Sequence, residues 1–264
     1  MKDIIITGTL RNGKSVNLSE TDMDNIEAMK TLRLSAMKEE YLRMVENGEI
    51  CSEPAEKIIN RLLSAQTVQR FVNTSRKRIG KANFWYEDAS VQKLEDEHVF
   101  ADRAMISNVL RFNFIRLGGV VKITGGTHTG KTYLACAIGV RACEARISTF
   151  YIRFMSLIKD TYRSPLEKDM LMDMNHLRNV DLLIIDDFAQ TEEPLTVEEK
   201  DMIMDLIDYR KRGKGTILVS HLSTDGWIAK LNIGKNKSAS LRQWFSSGQT
   251  VHLGSSPLTE ERKD

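Results

Sequence analysis

Eight consecutive residues, Gly125-Gly126-Thr127-His128-Thr129-Gly130-Lys131-Thr132, constrain the fold of this chain more than any other stretch. They fit the spacing GxxxxGK[ST] at every fixed position. A β-branched run, Val120–Thr124, precedes them, and a helical pattern, Tyr133–Val140, follows. Glycines let the backbone turn its N–H groups inward around an anion. The helix N-terminus adds a favourable partial positive charge. In that strand–loop–helix setting the pattern reads as a phosphate-binding loop. Gly125, Gly126, Thr127, His128, Thr129, Gly130, Lys131, Thr132 and Tyr133 are the candidate nucleotide-binding residues. Lys131 is expected to reach the β- and γ-phosphates and the Thr132 hydroxyl to ligate Mg²⁺, so ATP and Mg²⁺ are the expected cofactors.

The texture around the loop sets the fold class. GGVVKIT, STFYI, VDLLIID and TILVS are short β-branched or aliphatic runs of the buried-strand type. Helical patterns at 131–144, 153–161, 166–178 and 196–211 lie between them, the last opened by a capping box of Thr196 with Glu199. The alternation predicts an α/β domain with a parallel sheet flanked by helices. VDLLIIDD ends in adjacent acids, which a buried strand tolerates only at its exposed carboxyl tip, the edge where open α/β sheets bind ligands. Asp186 is a candidate metal ligand beside Thr132. Asp187 is a candidate to orient or deprotonate the attacking water. STFYI is read as an extra strand inserted between the two motif strands, a feature of the ATPase branch with a catalytic carboxylate after the magnesium aspartate. TILVS ends in Ser220-His221, two polar residues placed to reach a γ-phosphate or the water.

The region before residue 100 reads differently. Asn12-Gly13, a type I′ turn signal, joins two runs into a hairpin over residues 3–18. Residues 21–47 read as one helix with Gly48 as its stop, and a second long helix starts at Ser52 and Pro54 and runs to about Ile79. On that helix Arg70, Lys77 and Lys81 share a face, with Val68, Val72 and Ile79 opposite. Mixed short elements occupy 83–115, with a helix near 101–114. The predicted organisation is a hairpin extension over 1–18, a smaller helical domain over 19–100, and the nucleotide-binding domain over 101–264.

Net charge is only +2, but it hides local asymmetry. Residues 57–81 hold seven basic residues and no acid, residues 165–201 eleven acids and three bases, and residues 210–237 seven bases and one acid. Such patches suit a protein that binds polyanions and packs against its own copies. Arg70, Arg76, Lys77, Arg78 and Lys81 are the candidate DNA contacts, made to phosphates rather than base edges because no recognition-helix signature accompanies them. Trp85 and Tyr86, like Trp227 and Trp244, read as packing residues. No apolar run is long enough to span a bilayer and no signal-peptide core is present at the start, so no membrane contact is expected. Cys51, Cys136 and Cys143 form neither a disulfide framework nor a zinc pair and read as buried thiols of a reducing cytoplasm.

Taken in order, these stretches resemble the IstB family of transposon helper ATPases, relatives of the DnaC-type helicase loaders within the AAA+ class. The likeness runs from about residue 28 to 254. LRLSAMKEEYLRMVENGE resembles the family's N-terminal helical segment, and RLLSAQTVQRFVNTSRKRIGKANF its Arg-rich second helix. GGTHTGKTYLACAIGVRACEA is similar to its phosphate loop and following helix. DLLIIDDFAQTEEPLTVEEKDMIMDLIDYRKRGKGTILVSHLSTDGW is similar to its acid pair, helix, sensor strand and following segment. The resemblance implies an AAA+ P-loop NTPase fold with a smaller N-terminal helical domain. It implies a Mg-dependent ATPase, stimulated by DNA or a partner, that self-associates on duplex DNA and assists a transposase, on the nucleoid in the cytoplasm. It also implies an arginine supplied to the neighbouring subunit's site, with Arg210, Arg212 and Arg242 as candidates. Three departures stand out: Ser220-His221 where relatives more often carry Ser-Gln or Ser-Asn, Gln243 where arginine is usual in the C-terminal helix SLRQWFSSGQTVHL, and DDFA in place of acid-acid-x-Gly. A replicative helicase loader, or a nucleotide-gated DNA-binding scaffold with negligible turnover, are the alternative readings.

Overall fold

The computed structural model describes residues 6–9, 15–96, 102–161 and 174–254. Its contacts divide the chain into two compact units, Met1–Thr74 and Ser75–Asp264.

In the first unit, β1 (Ile6–Thr9) pairs antiparallel with β2 (Ser15–Leu18), as a hairpin requires. The Asn12-Gly13 turn itself lies outside the described residues. Ser19 caps α1 (Glu20–Thr31) through a capping box with Asp22. The single helix read over 21–47 is two: α1 stops where Arg33 takes φ 56°, and α2 (Ser35–Glu46) follows. A non-glycine residue in the left-handed region cannot continue a helix, and composition gave no sign of it. Gly48, with φ 71°, ends α2 and leads into the short α3 (Glu49–Ser52). α4 (Ala55–Lys81) follows Pro54 and is the long helix expected there. Leu18, Ile26, Tyr41 and Leu42 make this unit's apolar cluster. Beside it Arg61 binds Glu40 at 2.8 Å and Glu49 at 2.6 Å. Val68 and Val72, expected as the packed face of α4, are exposed at 61% and 40%.

The second unit begins within α4 and continues through α5 (Val91–Asp96), α6 (Arg103–Val109) and α7 (Asn113–Arg116). The last two divide the helix expected near 101–114, because Phe112 has φ 57°. Five parallel strands follow: β3 (Val120–Gly125), β4 (Thr149–Arg153), β5 (Leu182–Asp186), β6 (Gly215–Ser220) and β7 (Gln249–Leu253). The helices between them are α8 (Lys131–Glu144), α9 (Phe154–Thr161), α10 (Met174–Asn179), α11 (Val197–Arg210), α12 (Thr224–Leu231) and α13 (Lys235–Ser247). The part of the 166–178 helix before Met174 lies outside the described residues. β7 is a strand that the sequence reading ran together with the C-terminal helix.

Across the sheet the order is β4-β5-β6-β3-β7. The strand that separates the phosphate-loop strand from the acid-pair strand in space is therefore β6. STFYI, read as the inserted strand, forms β4 and lies at the edge. Chain order did not reveal this, because parallel strands joined by crossovers need not neighbour each other. Alternate residues of each strand face opposite sides. Val121, Ile123, Ile184, Ile217 and Val219 join one apolar cluster with α8, while Val120, Leu183, Ile185 and Leu218 join a second with α9, α11, α12 and α13. Trp227 and Trp244 are buried in the second cluster, as expected of packing residues.

Candidate functional site

The parallel registers align the carboxyl ends of the three central strands. Thr124 of β3 sits opposite Ser220 of β6, and Ile185 of β5 opposite Leu218. The phosphate loop and the acid pair therefore emerge at one edge. The loop leaves β3 at Gly125 with φ 151°, and a Cβ there would stand 2.3 Å from the Leu253 carbonyl oxygen, so only glycine fits. His128 and Gly130 also take positive φ, 61° and 84°. Thr129 Oγ1 donates to the Gly126 carbonyl at 3.0 Å, and Lys131 Nζ donates to the same oxygen. The first turn of α8 has no side-chain cap, so its orphan N–H groups are free to meet an anion. Burial holds the Lys131 ammonium below its ordinary pKa, against the opposing pull of Asp186 and Asp187.

Asp186 is buried at the tip of β5. Its Oδ1 accepts from the Asp187 N–H and its Oδ2 from the Tyr151 hydroxyl, each at 2.8 Å. Each oxygen keeps a lone pair, so the carboxylate can still serve a hard cation. Among the described residues no group of three or more His, Cys, Asp or Glu could hold a metal ion. The Thr132 hydroxyl and the Asp186 carboxylate are hard oxygen donors, the kind that Mg²⁺ takes in small number when it comes with nucleotide phosphates. Asp187 follows in the left-handed conformation, φ 52°. Burial and the neighbouring Asp186 raise its pKa, opposed by Arg153, Lys131 and His221. Lys131, Asp186, Asp187 and His221 are thus brought together, and Arg153 joins them.

Ser220 is not free to act on a ligand. Its buried hydroxyl donates to the Phe188 carbonyl at 3.0 Å and accepts from the Leu222 N–H at 3.2 Å. It ties the loop after the acid pair to β6. His221, the next residue, is exposed. Tyr133 accepts from the Ser90 N–H at 3.2 Å, and its ring lies 5.4 Å from that of Tyr86. Its side chain serves the segment before α5.

The three arginine candidates separate clearly. Arg210 is 1% exposed. Its guanidinium donates to the carbonyls of Leu177 at 2.7 Å and Val180 at 2.9 Å, to Thr216 Oγ1 at 3.0 Å, and to the Gly215 carbonyl. Burial alone pushes its pKa down, to about 9. A guanidinium nonetheless stays charged in proteins, and here the carbonyls supply the stabilisation that water has lost. Arg210 fastens α11 to α10 and β6 within its own chain and cannot be offered to a neighbour; that expectation is corrected. The chain pattern could not distinguish a buried arginine from an exposed one. Arg212 is exposed. Arg242 is also exposed and pairs with Asp225, and Gln243 beside it is exposed as well.

On α4, Arg70, Arg76, Lys77 and Lys81 are exposed and Arg78 is half-buried. Lys57 and Arg61, the earlier cations of the same stretch, are bound to carboxylates. Cys136 and Cys143 are buried, but Cys51 is exposed, which corrects the expectation of three buried thiols. Trp85 and Tyr86, expected to pack, are 57% and 40% exposed. Tyr151 and Arg153 were not recognised from the sequence. The period of two in Tyr151-Ile152-Arg153 was the available signal, since it puts both polar residues on one face of a strand that ends beside the acid pair.

The family model described as IstB-like ATP binding protein matches residues 27–252. An ATP-binding protein of insertion sequence IS232 from Bacillus thuringiensis subsp. berliner is 27% identical over 126 residues, 48% of this chain and 50% of that relative. The chain thus spans about half of that protein's length. The insertion sequence ATP-binding protein y4uH of Sinorhizobium fredii is 21% identical over 207 residues, 78% of this chain and 83% of the relative. Among solved structures, DnaI superposes with a TM-score of 0.49 at 18% identity, covering 63% of this chain and 91% of that one. The DnaC helicase loader does so with 0.46 at 18%, covering 56% and 85%.

Proposed function

We propose that this chain, which belongs to the IstB-like ATP-binding protein family, is a Mg-dependent AAA+ ATPase that assembles on duplex DNA and assists a transposase. The observation that carries the reading is the meeting of phosphate loop and acid pair at the carboxyl edge of one parallel sheet. The loop and the first turn of α8 bind the phosphates, and Lys131 swings from the Gly126 carbonyl to the β- and γ-oxygens. Thr132 and Asp186 would hold the cation, which would neutralise charge on the phosphates. Asp187 orients the attacking water and takes its proton, with His221 at its side. Arg212 and Arg242, both exposed, are the candidates for a role in a neighbour's site. The exposed cations of α4 meet DNA phosphates, which makes binding steeply salt-dependent. No described helix is long and apolar enough to cross a membrane.

The test is binding to duplex DNA with no nucleotide, ADP, ATP or a slowly hydrolysed analogue, at two salt concentrations, with particle size read by microscopy. ATP and the analogue build assemblies on duplex DNA, and Lys131→Ala builds none. Asp187→Asn keeps ATP binding and slows turnover about a hundredfold or more, the scale of general-base loss. Binding confined to single strands turns the reading towards a helicase loader.

A further inference from the structure

Arg153 closes β4 with its Cα paired to that of Asp186 across the β4–β5 ladder. Its guanidinium lies 3.9 Å from the centroid of the Trp85 ring. Tyr151, two residues earlier on the same face of the strand, donates its hydroxyl to Asp186 Oδ2 at 2.8 Å, and the Arg153 charge opposes the rise in the pKa of Asp187. Arg153 on the Trp85 ring and Tyr151 on the aspartate thus share one face of β4 beside the acid pair. The backbone makes a parallel connection. The Tyr151 N–H donates to the Ala82 carbonyl at 2.8 Å, and Asn83 Nδ2 donates to the Tyr151 carbonyl at 3.2 Å. Residues 82–83 therefore cover the open edge of β4, the outermost strand. Phe84 is buried against α8 so closely that a Cβ at Gly139 would stand 2.4 Å from its ring. Ala82 directly follows Lys81, the last residue of α4.

We propose that Arg153, braced on Trp85, is a positioning residue for ATP hydrolysis. Opposite Asp186 on the neighbouring strand, it sets its charge against the acid pair and so fixes how Asp187 is presented to the nucleotide. The ring supplies a flat cationic seat, a contact worth more to arginine than to lysine because guanidinium stacks. Without that seat the guanidinium is an exposed, rotamer-rich group that holds nothing in place. The inference rests on the ATPase reading.

The experiment uses the full chain with Mg-ATP. Arg153→Gln lowers kcat about tenfold while KM and the affinity for a fluorescent ATP analogue stay within about twofold, the pattern of an interaction needed only in the transition state. Arg153→Lys restores part of the loss. Trp85→Ala lowers kcat in the same direction, and the double variant is no slower than Arg153→Gln alone, because the two act as one unit. A second readout needs no turnover. In the nucleotide-free protein, Arg153→Gln makes Trp85 emission, isolated by subtracting Trp85→Phe, more open to acrylamide quenching. Unchanged quenching overturns the brace, as does an additive double variant. Unchanged kcat in Arg153→Gln, with the wild type turning over, overturns this proposal alone. No turnover in the wild type overturns the ATPase reading and this proposal with it.

Discussion

In residues 75–264 the sheet lies between two apolar clusters, and β5 is buried along its whole length. Up to residue 74 the buried apolar cluster is Leu18, Ile26, Tyr41 and Leu42, and beside it Arg61 gathers Glu40, Glu49 and Glu53. One unit is held mainly by area removed from water, the other to a larger degree by charges in a partly wet setting. Apolar burial is indifferent to pH and strengthened by excluded salts. Exposed ion pairs are weak, screened, and lost when carboxylates protonate. The unit with the nucleotide loop thus has a stiff base, while the unit with the hairpin is adjustable by its surroundings.

The largest contrast is expected in thiol chemistry. Cys136 and Cys143 lie in the sheet unit, where burial pushes each thiol up to about 11. At pH 8 roughly one in a thousand of such groups is ionised. Ellman's reagent should label Cys51 of the helical unit promptly and the other two at least about a hundredfold more slowly until the chain unfolds. Equal rates for all three would break the comparison.

Next come core truncations. Ile184→Ala should cost about 3 kcal/mol in denaturant unfolding, within the range for buried aliphatic residues. Leu42→Ala, at the rim of the smaller cluster, should cost less. A larger loss for Leu42→Ala would reverse the ranking.

Acid should then separate the units. Burial pushes the Glu40 carboxyl up, but hydrogen bonds from Arg43 and Arg61 outweigh it and hold it below its ordinary 4.5. A depressed carboxylate adds stability that is fully present above its unfolded pKa and is lost as pH falls through its folded one. Hydrogen exchange should show α2 and the first turns of α4 loosening below about pH 4.5 while β5 and β6 stay protected. Uniform loosening would mean that Glu40 is not what holds the helices.

The smallest effect concerns Ala189, buried with φ 60°. Ala189→Gly should stabilise the sheet unit by about 0.5–1 kcal/mol, since a left-handed alanine costs more than the entropy of glycine. A loss of stability would show that the methyl group is needed for packing.

Much of the sheet unit was readable because its signals are local. The strand runs, the Thr196–Glu199 capping box and the phosphate loop each depend on neighbours within a few residues, and each formed at its expected place. What escaped depends on distant partners. Arg210 looks like any helix-end cation until residues 177–180 come round to meet it. Ser220 looked like a catalytic hydroxyl until Phe188 claimed it. The strand Gln249–Leu253 was missed for the same reason, since it is a strand only because Val121–Gly125 lies beside it, whereas the break at Arg33 is a local backbone state that composition does not announce.

The sheet order also governs how the protein is made. β3 pairs with β6 and β7, Val120 with Thr216 and Val121 with Gln249. As the chain leaves the ribosome, β3 emerges long before either neighbour and shows two unpaired edges. Its pairings must wait for loop closures of about a hundred residues, which is the slow, aggregation-exposed kind of folding. A nascent chain stalled before Gly215 would already carry the complete nucleotide motif and acid pair, yet would have no sheet on which to hold them together.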